Sequence, residues 1–576
     1  MTDAAPLHWP LILADDDLPR ALIGETVEGE VALTGYANLF PLAYFRAYAP
    51  HVVLAPTATG AGRVRIDVQL AAIDGATRTI RSETADLIAG ETWRGEGLTL
   101  SDLPETGALF LVLAPETDAR IIGAAWTAES APRRDVRLSV GIATFNRPDD
   151  VARTVDLLAA RRGDGVAEVH VVDQGQERAD FPDLPGFLHT YVQRNLGGAG
   201  GFARALAEAL AAERATHHVF MDDDAFPQAE IFARLRFFLA HAAADHAVGG
   251  QMLALEDPLQ MTEFGVRLSR DGERENLGRG LRVDRPEVAA LSHRVETIDA
   301  HAWWFWAVPL AAAKAAGPPL PVFIKFDDIE YTDRLSRAGV ASAPLPGLFI
   351  RHPAIHMKAA DWRYYYFARN AAIAASSFGR DGVGRIYGLK TLLGSLLRHE
   401  YRRLELEIMA LDDYLAGTQF LAEGDEEAIH DRVRALSNRL RGPDAVELKP
   451  GAYAEAPALS GEPASETARY LAAFLRSWLP TRAERPFVWS NASQVDPIAA
   501  SRRSYLRPMA KEGTFELYAF DRRRYLSLLP RALWAAVRFA AGARRASREW
   551  SENAARLIAA EAWAKRLEAR SSEETR

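Results

Sequence analysis

From Leu138 to Asp224 the chain alternates strand-length apolar runs with segments of helical period, and each run ends in polar residues. LSVGIATF reads as a buried strand, NRPDDVARTVDLLAARR as an amphipathic helix, and VAEVHVVDQG as a second strand. HTYVQRNLGGAGGFARALAEAL adds strand, glycine loop and helix, and HHVFMDDDAFP closes the series with a strand ending on three carboxylates. This alternation predicts a mostly parallel sheet with helices on both faces. Open sheets of that kind take their ligands at the carboxyl ends of the strands, where Thr144, Asn146, Arg147, Asp173, Gln174 and Asp222–Asp224 fall.

In an extended segment Asp222 and Asp224 point one way and Asp223 the other. Such a pair can hold a hard divalent cation through oxygen; an acidic turn capping the next helix is the plainer alternative. Arg147 suits a phosphate, and Asp173 or Gln174 the hydrogen-bonding edge of a nucleobase. The glycines Gly197, Gly198, Gly200 and Gly201 let backbone N–H groups approach phosphates. With Ala203 and Asp222 they loosely meet a dinucleotide fingerprint, but that motif belongs on the first βα turn, which here is TFNRP and has no glycine. Tight helix-sheet packing explains glycines there equally well.

Three further stretches carry chemistry. FIKFDDIEYTDRLSRAG presents Asp327 and Asp328 at a helix start, where Asp327 with Glu330 resembles a capping box; a carboxylate there can also accept a proton from an attacking hydroxyl. The sequence leaves open which acid caps and which reacts. In HAWWFWAVP strict alternation puts Trp303 and Phe305 opposite Trp304 and Trp306, so one face of an otherwise core run can line a pocket. His352 and His356 in FIRHPAIH are candidates to complete an aspartate metal site.

Before Ser130 the pattern changes to short alternating strands, such as GRVRIDVQLAAID, GALFLVLAP and RIIGAAWTA, which predict an all-β sandwich. The polar AESAPRRDVR marks a boundary, and beyond Arg369 the spacing becomes helical. The expected division is therefore a β-sandwich over 1–130, an α/β domain over 137–369 and a helical region over 370–576. A chain of 576 residues is long enough for such a division. A net charge of -9 argues against a general nucleic-acid binder, and the absence of cysteine excludes disulfides, zinc thiolates and cysteine nucleophiles. With no secretory-type N-terminus and no apolar run of about 18 residues, a soluble cytoplasmic protein is expected. The helix LWAAVRFAAGARRASREW combines bulky apolar residues with arginines and leaves room for contact with an acidic membrane surface.

Taken in order, YANLFPLAYFRAY, ATFNRP, VVDQG, RNLGGAGGF, FMDDDAFP, WWFWAVP, FDDIEYTDR and FIRHPAIH resemble the bacterial galactofuranosyltransferases of glycosyltransferase family 2, nearest the type that polymerises cell-wall galactan. The resemblance implies an N-terminal β-sandwich, a GT-A type nucleotide-sugar domain and a helical C-terminal region. It implies inverting transfer of galactofuranose from uridine diphosphate galactofuranose to a hydroxyl of a glycan or glycolipid acceptor. Arg147, Gln174, Asn195 and Asp222 would bind the donor; Asp222, Asp224 and His352, in preference to His356, would hold Mn²⁺ or Mg²⁺; Asp328 would be the general base; Trp303, Trp304 and Asp327 would face the acceptor. A lipid-linked acceptor would place the protein at the inner face of the cytoplasmic membrane, and the family leaves room for a homo-oligomer. The alternatives are a family member using another sugar, such as rhamnose from a deoxythymidine diphosphate donor, a nicotinamide oxidoreductase, and a non-catalytic glycan-binding protein.

Overall fold

The computed structural model describes residues 7–568, apart from 28, 269–273, 286–287, 289, 354–360, 378–384, 424 and most of 440–513. Its N-terminal part is organised on one 19-residue strand, Val53–Ala71. The first half of that strand pairs with Arg120–Ala128, Thr92–Arg94 and Leu98–Thr99, and the second half with Ala108–Pro115 and Thr77–Leu87. Partners change where the register slips between Thr59 and Gly60 and Gly62 takes a φ of +92°. Along the second half the expected dry face is present, with Val64, Ile66, Val68 and Leu70 buried, and the expected wet face is present in part: Arg63 and Arg65 are exposed, whereas Asp67 is buried, held by Arg65 and Ser82, and Gln69 is half-buried. Because one strand serves both sets of partners, nine strands form a single hydrogen-bonded network in place of two separately bonded sheets.

Tyr36–Tyr48, expected within a strand-like region, turns helical over Leu42–Tyr48. Its Phe45 packs against Phe237 and Phe238 of the helix Ile231–His241, at ring separations of 5.7 and 5.3 Å. On the same helix the fully buried Arg234 donates to the carbonyls of Pro10, Ala37 and Gly347 at 2.7–2.9 Å. A single apolar core thus runs from the N-terminal sheet into the central one.

The central sheet has the order Leu188–Val192, Val166–Asp173, Leu138–Thr144, His217–Asp222, Phe305–Pro309, Ala247–Ala254, Ser342–His352, Phe226–Pro227. The first four strands are parallel, as expected. Phe305–Pro309 then runs antiparallel to both neighbours, so the sheet is mixed. The reversal follows from its connection: the chain leaves the carboxyl end of Ala247–Ala254, makes an excursion containing the hairpin Gly265–Leu268 and Arg274–Leu277, and re-enters from that same end.

Beyond the sheet, the helices Arg363–Ser377, Arg385–Leu397, Tyr401–Leu415 and the 36-residue Arg522–Leu557 enclose a second core. The boundary expected at 369/370 falls inside the first of them. The region is not wholly helical. Val446–Glu447, Phe487–Val488, Tyr505–Pro508 and Thr514–Tyr518 form a four-stranded sheet, where Tyr505 stacks across the ladder on Tyr518 at 5.0 Å. No helix among the described residues is long and apolar enough to cross a membrane.

Candidate active site

Strand geometry assembles the first cluster. Asp222 is the last residue of its strand, and His352 ends Ser342–His352, which is separated from it by two strands in the sheet but pairs with Phe226–Pro227, just after the acidic triplet in the chain. One ligand atom from each of Asp222, Asp224 and His352 lies within 4.8 Å of the others. His352 Nε2 is 3.0 Å from Asp224 Oδ1 and 3.6 Å from Asp222 Oδ2. Its Nδ1 sits 2.8 Å from the Pro353 carbonyl, a bond that places the proton on Nδ1 and turns the Nε2 lone pair to the carboxylates. Two carboxylates and a neutral imidazole are a donor set that fits a divalent cation. Asp223, in the turn after the strand, faces away: the Thr144 hydroxyl donates to its Oδ2 at 2.7 Å, and Thr154 donates to its carbonyl at 3.0 Å. Burial, reinforced by Asp224, pushes Asp223 up to about 7 against the pull of Arg147 and Thr144. His356 lies outside the described residues.

Around this cluster lie the expected donor residues. Arg147 pairs with Asp224 and lies 3.6 Å from Asp150. Burial works against its charge, yet Asp224, Asp223 and Asp150 hold the guanidinium above its ordinary value. Gln174 uses both ends of its amide on the neighbouring loop, donating to the Gly197 carbonyl at 2.9 Å and accepting from Gln193 and the Leu196 N–H at 3.0 and 2.9 Å. The Asn195 side chain accepts from the Gly197 N–H at 3.0 Å. The glycines do not form a loop: Gly197–Ala212 is already helix. A Cβ on Gly201 would sit 2.5 Å from Ala143 Cβ, so close helix-sheet packing accounts for that glycine. Asn146, in the left-handed region at φ 53°, accepts from the Gln176 and Glu177 N–H groups and ties the first two strand ends together.

The second acidic pair sits on a loop of unusual backbone. Phe323, Lys325 and Phe326 have φ values of 72°, 69° and 64°, each in the left-handed region that non-glycine residues avoid. The helix Asp327–Arg337 starts directly after them with Phe326 at its cap position, so the expected capping box is not formed; Glu330 instead pairs with Arg334 at 2.8 Å. The Asp328 carboxylate accepts from the Ile329 N–H at 2.8 Å. Burial raises the pKa of both Asp327 and Asp328, joined by repulsion from Asp328 at Asp327 and from Glu263 at Asp328, while Lys325 opposes both shifts and Arg274 that of Asp328. Burial lowers the pKa of Lys325 against the pull of Asp328, Asp222 and Asp327, so its charge acts on both acidic groups. Gly198 also faces the pair, since a Cβ there would be 3.3 Å from Asp327 Oδ2. Arg274 is held at 2.8 Å by the buried Glu263. Sequence reading missed both cations; Lys325 stands two residues before Asp327, whereas nothing near Arg274 in the chain signals its place.

Trp303 and Trp304 are both buried. They precede the strand Phe305–Pro309 in a turn, so alternation does not extend to them. Trp303 shares Phe220 and Tyr331 with Trp306, stacking on Phe220 at 4.7 Å, while Trp304 packs on His301 on the other side. The Trp304 indole N–H points to Glu263 at 3.4 Å, which places this ring behind the Arg274 side of the acidic pair.

Residues 19–129 match the galactofuranosyltransferase 2 N-terminal family. The galactofuranosyltransferase GlfT2 of Mycolicibacterium smegmatis is 32% identical over 471 residues, covering 75% of this chain and 70% of the relative. Its namesake in Mycobacterium tuberculosis is 31% identical over 453 residues, covering 73% and 70%. A crystal structure of GalNAc-T7 with UDP, GalNAc and Mn²⁺ overlays 46% of this chain and 52% of that one at 11% identity and a TM-score of 0.34, too slight a likeness to fix the fold family. The protein is a glycosyltransferase. The similarity to the two mycobacterial enzymes is long enough to go further, and the chain belongs to the GlfT2 galactofuranosyltransferase family.

Proposed function

We propose that the protein transfers galactofuranose, with inversion, from uridine diphosphate galactofuranose to a hydroxyl of a lipid-linked glycan. The observation that carries this reading is the convergence of Asp222, Asp224 and His352 at strand ends, with the buried Asp327–Asp328 pair facing the glycine-rich helix that Gln174 and Asn195 adjoin. A divalent cation, Mn²⁺ or Mg²⁺, held by the first group supplies Lewis-acid stabilisation of the charge that gathers on the leaving diphosphate. Arg147 and Asn195 line the donor side. Gln174, with its amide committed to the loop, contributes by shaping the nucleotide pocket. Asp328 takes the proton of the acceptor hydroxyl on the opposite face of the sugar, which its raised affinity for protons suits it to do. Asp327 faces the acceptor with it, and Trp303 and Trp304 form the buried wall behind.

The same reading assigns a GT-A type domain to the central sheet, within the division 1–130, 137–369 and 370–576. The N-terminal sheet is read as a sandwich whose two layers share Val53–Ala71, supported by the change of partners at Gly60. A cytoplasmic enzyme in peripheral contact with the inner membrane face is supported by Leu526, Leu533, Trp534 and Val537, exposed on the helix Arg522–Leu557 between two groups of arginines.

The test is nucleotide release from a panel of sugar nucleotides with a glycan acceptor, with and without Mn²⁺. Metal-dependent turnover of uridine diphosphate galactofuranose supports the donor assignment. Turnover of a rhamnose donor instead keeps the mechanism and replaces the sugar; no turnover with any donor overturns the reading.

A further inference from the structure

We propose that Asn370 and Arg369 are positioning residues for Asp328, so that the C-terminal helices set the register of the base; this rests on the reading of Asp328 as that base. The left-handed residues before Asp327 turn several carbonyls of one short segment inward, and all of them need donors. Asn370, 1% exposed, reaches three of them with the two hydrogens of one amide, so that one is shared: Nδ2 is 3.1 Å from the Val322 carbonyl, 2.8 Å from Ile324 and 2.9 Å from Lys325. Its Oδ1 accepts from Arg369 Nε at 2.8 Å, which fixes the amide with nitrogen toward the loop. Arg369, equally buried, donates through Nη2 to the same Val322 carbonyl at 2.8 Å and through Nη1 to the Tyr365 hydroxyl at 3.1 Å. Tyr365 in turn donates to Asp413 on the helix Tyr401–Leu415 at 2.7 Å.

Packing follows the same line. Leu320 and Val322 belong to the helical core with Ala372 and Ile373, and Phe323 stacks on Tyr366 at 5.4 Å. On the other side the Phe323 carbonyl accepts from the Ala199 N–H, in the first turn of the glycine-rich helix, at 3.1 Å. The loop that presents the base is therefore clamped between the donor-side helix and the C-terminal helices. Without its amide the loop has no reason to keep three residues at positive φ, and a shift of about 1 Å in a reacting group can cost on the order of 100-fold in rate.

The experiment is a double-mutant cycle of Asn370→Ala and Asp328→Asn in the full chain. It measures kcat, donor KM, binding of UDP with Mn²⁺ by calorimetry, and Tm. Asn370→Ala is expected to lower kcat by about 10- to 100-fold while donor KM and UDP–Mn²⁺ affinity stay within about 2-fold. In the Asp328→Asn background the same change should add less than about 2-fold. Losses that multiply, or an undiminished kcat, overturn the inference alone. Asp328→Asn with wild-type turnover removes the base reading as well, and is seen in a protein whose Asn370 is intact. Should Asn370→Ala fail to fold, Asn370→Ser and Arg369→Lys keep a donor in place; each is expected to give a smaller loss confined to kcat, and a rise confined to donor KM overturns the proposal.

Discussion

The two acidic groups of the site sit at the same end of one sheet but are positioned in opposite ways. Asp222, Asp224 and His352 are brought together at strand ends: Asp222 closes its strand, Asp224 follows in the turn that leads to Phe226–Pro227, and the strand paired with Phe226–Pro227 delivers His352. Asp327 and Asp328 owe their place to an irregular segment with three positive φ values, held from outside by the amide of Asn370 and the fork of Arg369. The first group costs the backbone nothing and is paid for only in charge repulsion, which a cation relieves. The second stores backbone strain and depends on a different part of the chain. The lesson is that one site can be rigid by regularity on its donor side and rigid by clamping on its acceptor side, and the two halves should fail differently.

The largest effect is expected at the regular half. Asp224→Ala removes a nearly inaccessible carboxylate shared by His352 and Arg147. Turnover should fall by on the order of 1,000-fold or more, as several kcal/mol of charge stabilisation are lost. UDP binding should lose its dependence on Mn²⁺ in the same variant. An Asp224→Ala protein that still binds UDP more tightly with Mn²⁺ would break the comparison, because the metal would then sit elsewhere. Next comes the clamped half: Asp328→Asn should cost about 100-fold or more in transfer, the usual contribution of a general base, with Mn²⁺-dependent UDP binding retained. If both variants lose UDP binding equally, the halves are not separable and the distinction drawn here fails.

The contrast also explains what could be read in the sequence. Period-two alternation is a local property, so the outward pair Asp222/Asp224, the inward Asp223 and the four parallel strands were legible from a dozen residues at a time. His352 was legible only as one of two histidines flanking Pro353, through resemblance to a family; that it ends a strand is seen in the structure. Alternation misled where the strand had not begun, at Trp303 and Trp304, and the parallel pattern missed Phe305–Pro309 because its direction is fixed by an excursion of some fifty residues. The loop before Asp327 was not legible. Its carbonyls are met by Arg369 and Asn370, over forty residues further on, and no spacing rule joins an asparagine to carbonyls at that distance. The expected boundary was drawn between these very two residues.

A smaller effect probes how the regular half depends on its packing. Gly201→Ala would put a Cβ 2.5 Å from Ala143 Cβ and 3.0 Å from Gln174 Nε2. Relieving that overlap by moving the helix should cost about 1–3 kcal/mol of stability. Because Gln174 also holds the Gly197 carbonyl and the Leu196 N–H, donor KM should rise while kcat at saturation changes less. A fall in kcat with donor KM unchanged would place the helix on the side of the base.

The smallest effect, and the one with a sign, is expected from Asp327→Asn. Burial and then Asp328 raise the affinity of Asp327 for a proton above its unfolded value of 3.8, while Lys325 pulls the other way. Between the unfolded and folded values the folded protein binds more protons than the unfolded chain, so this group makes stability fall as pH rises. Asparagine keeps the shape and abolishes that dependence. Its Tm advantage over the wild type should therefore be greater at pH 8 than at pH 5. Removing the neighbouring charge should also let Asp328 ionise more readily, moving the acidic limb of the pH–rate profile to lower pH. The regular half offers the control: Thr144→Val removes the hydroxyl that donates to Asp223 and should leave that limb where it is. A limb that moves with Thr144 and not with Asp327 would assign the rate-controlling proton to the metal side of the site.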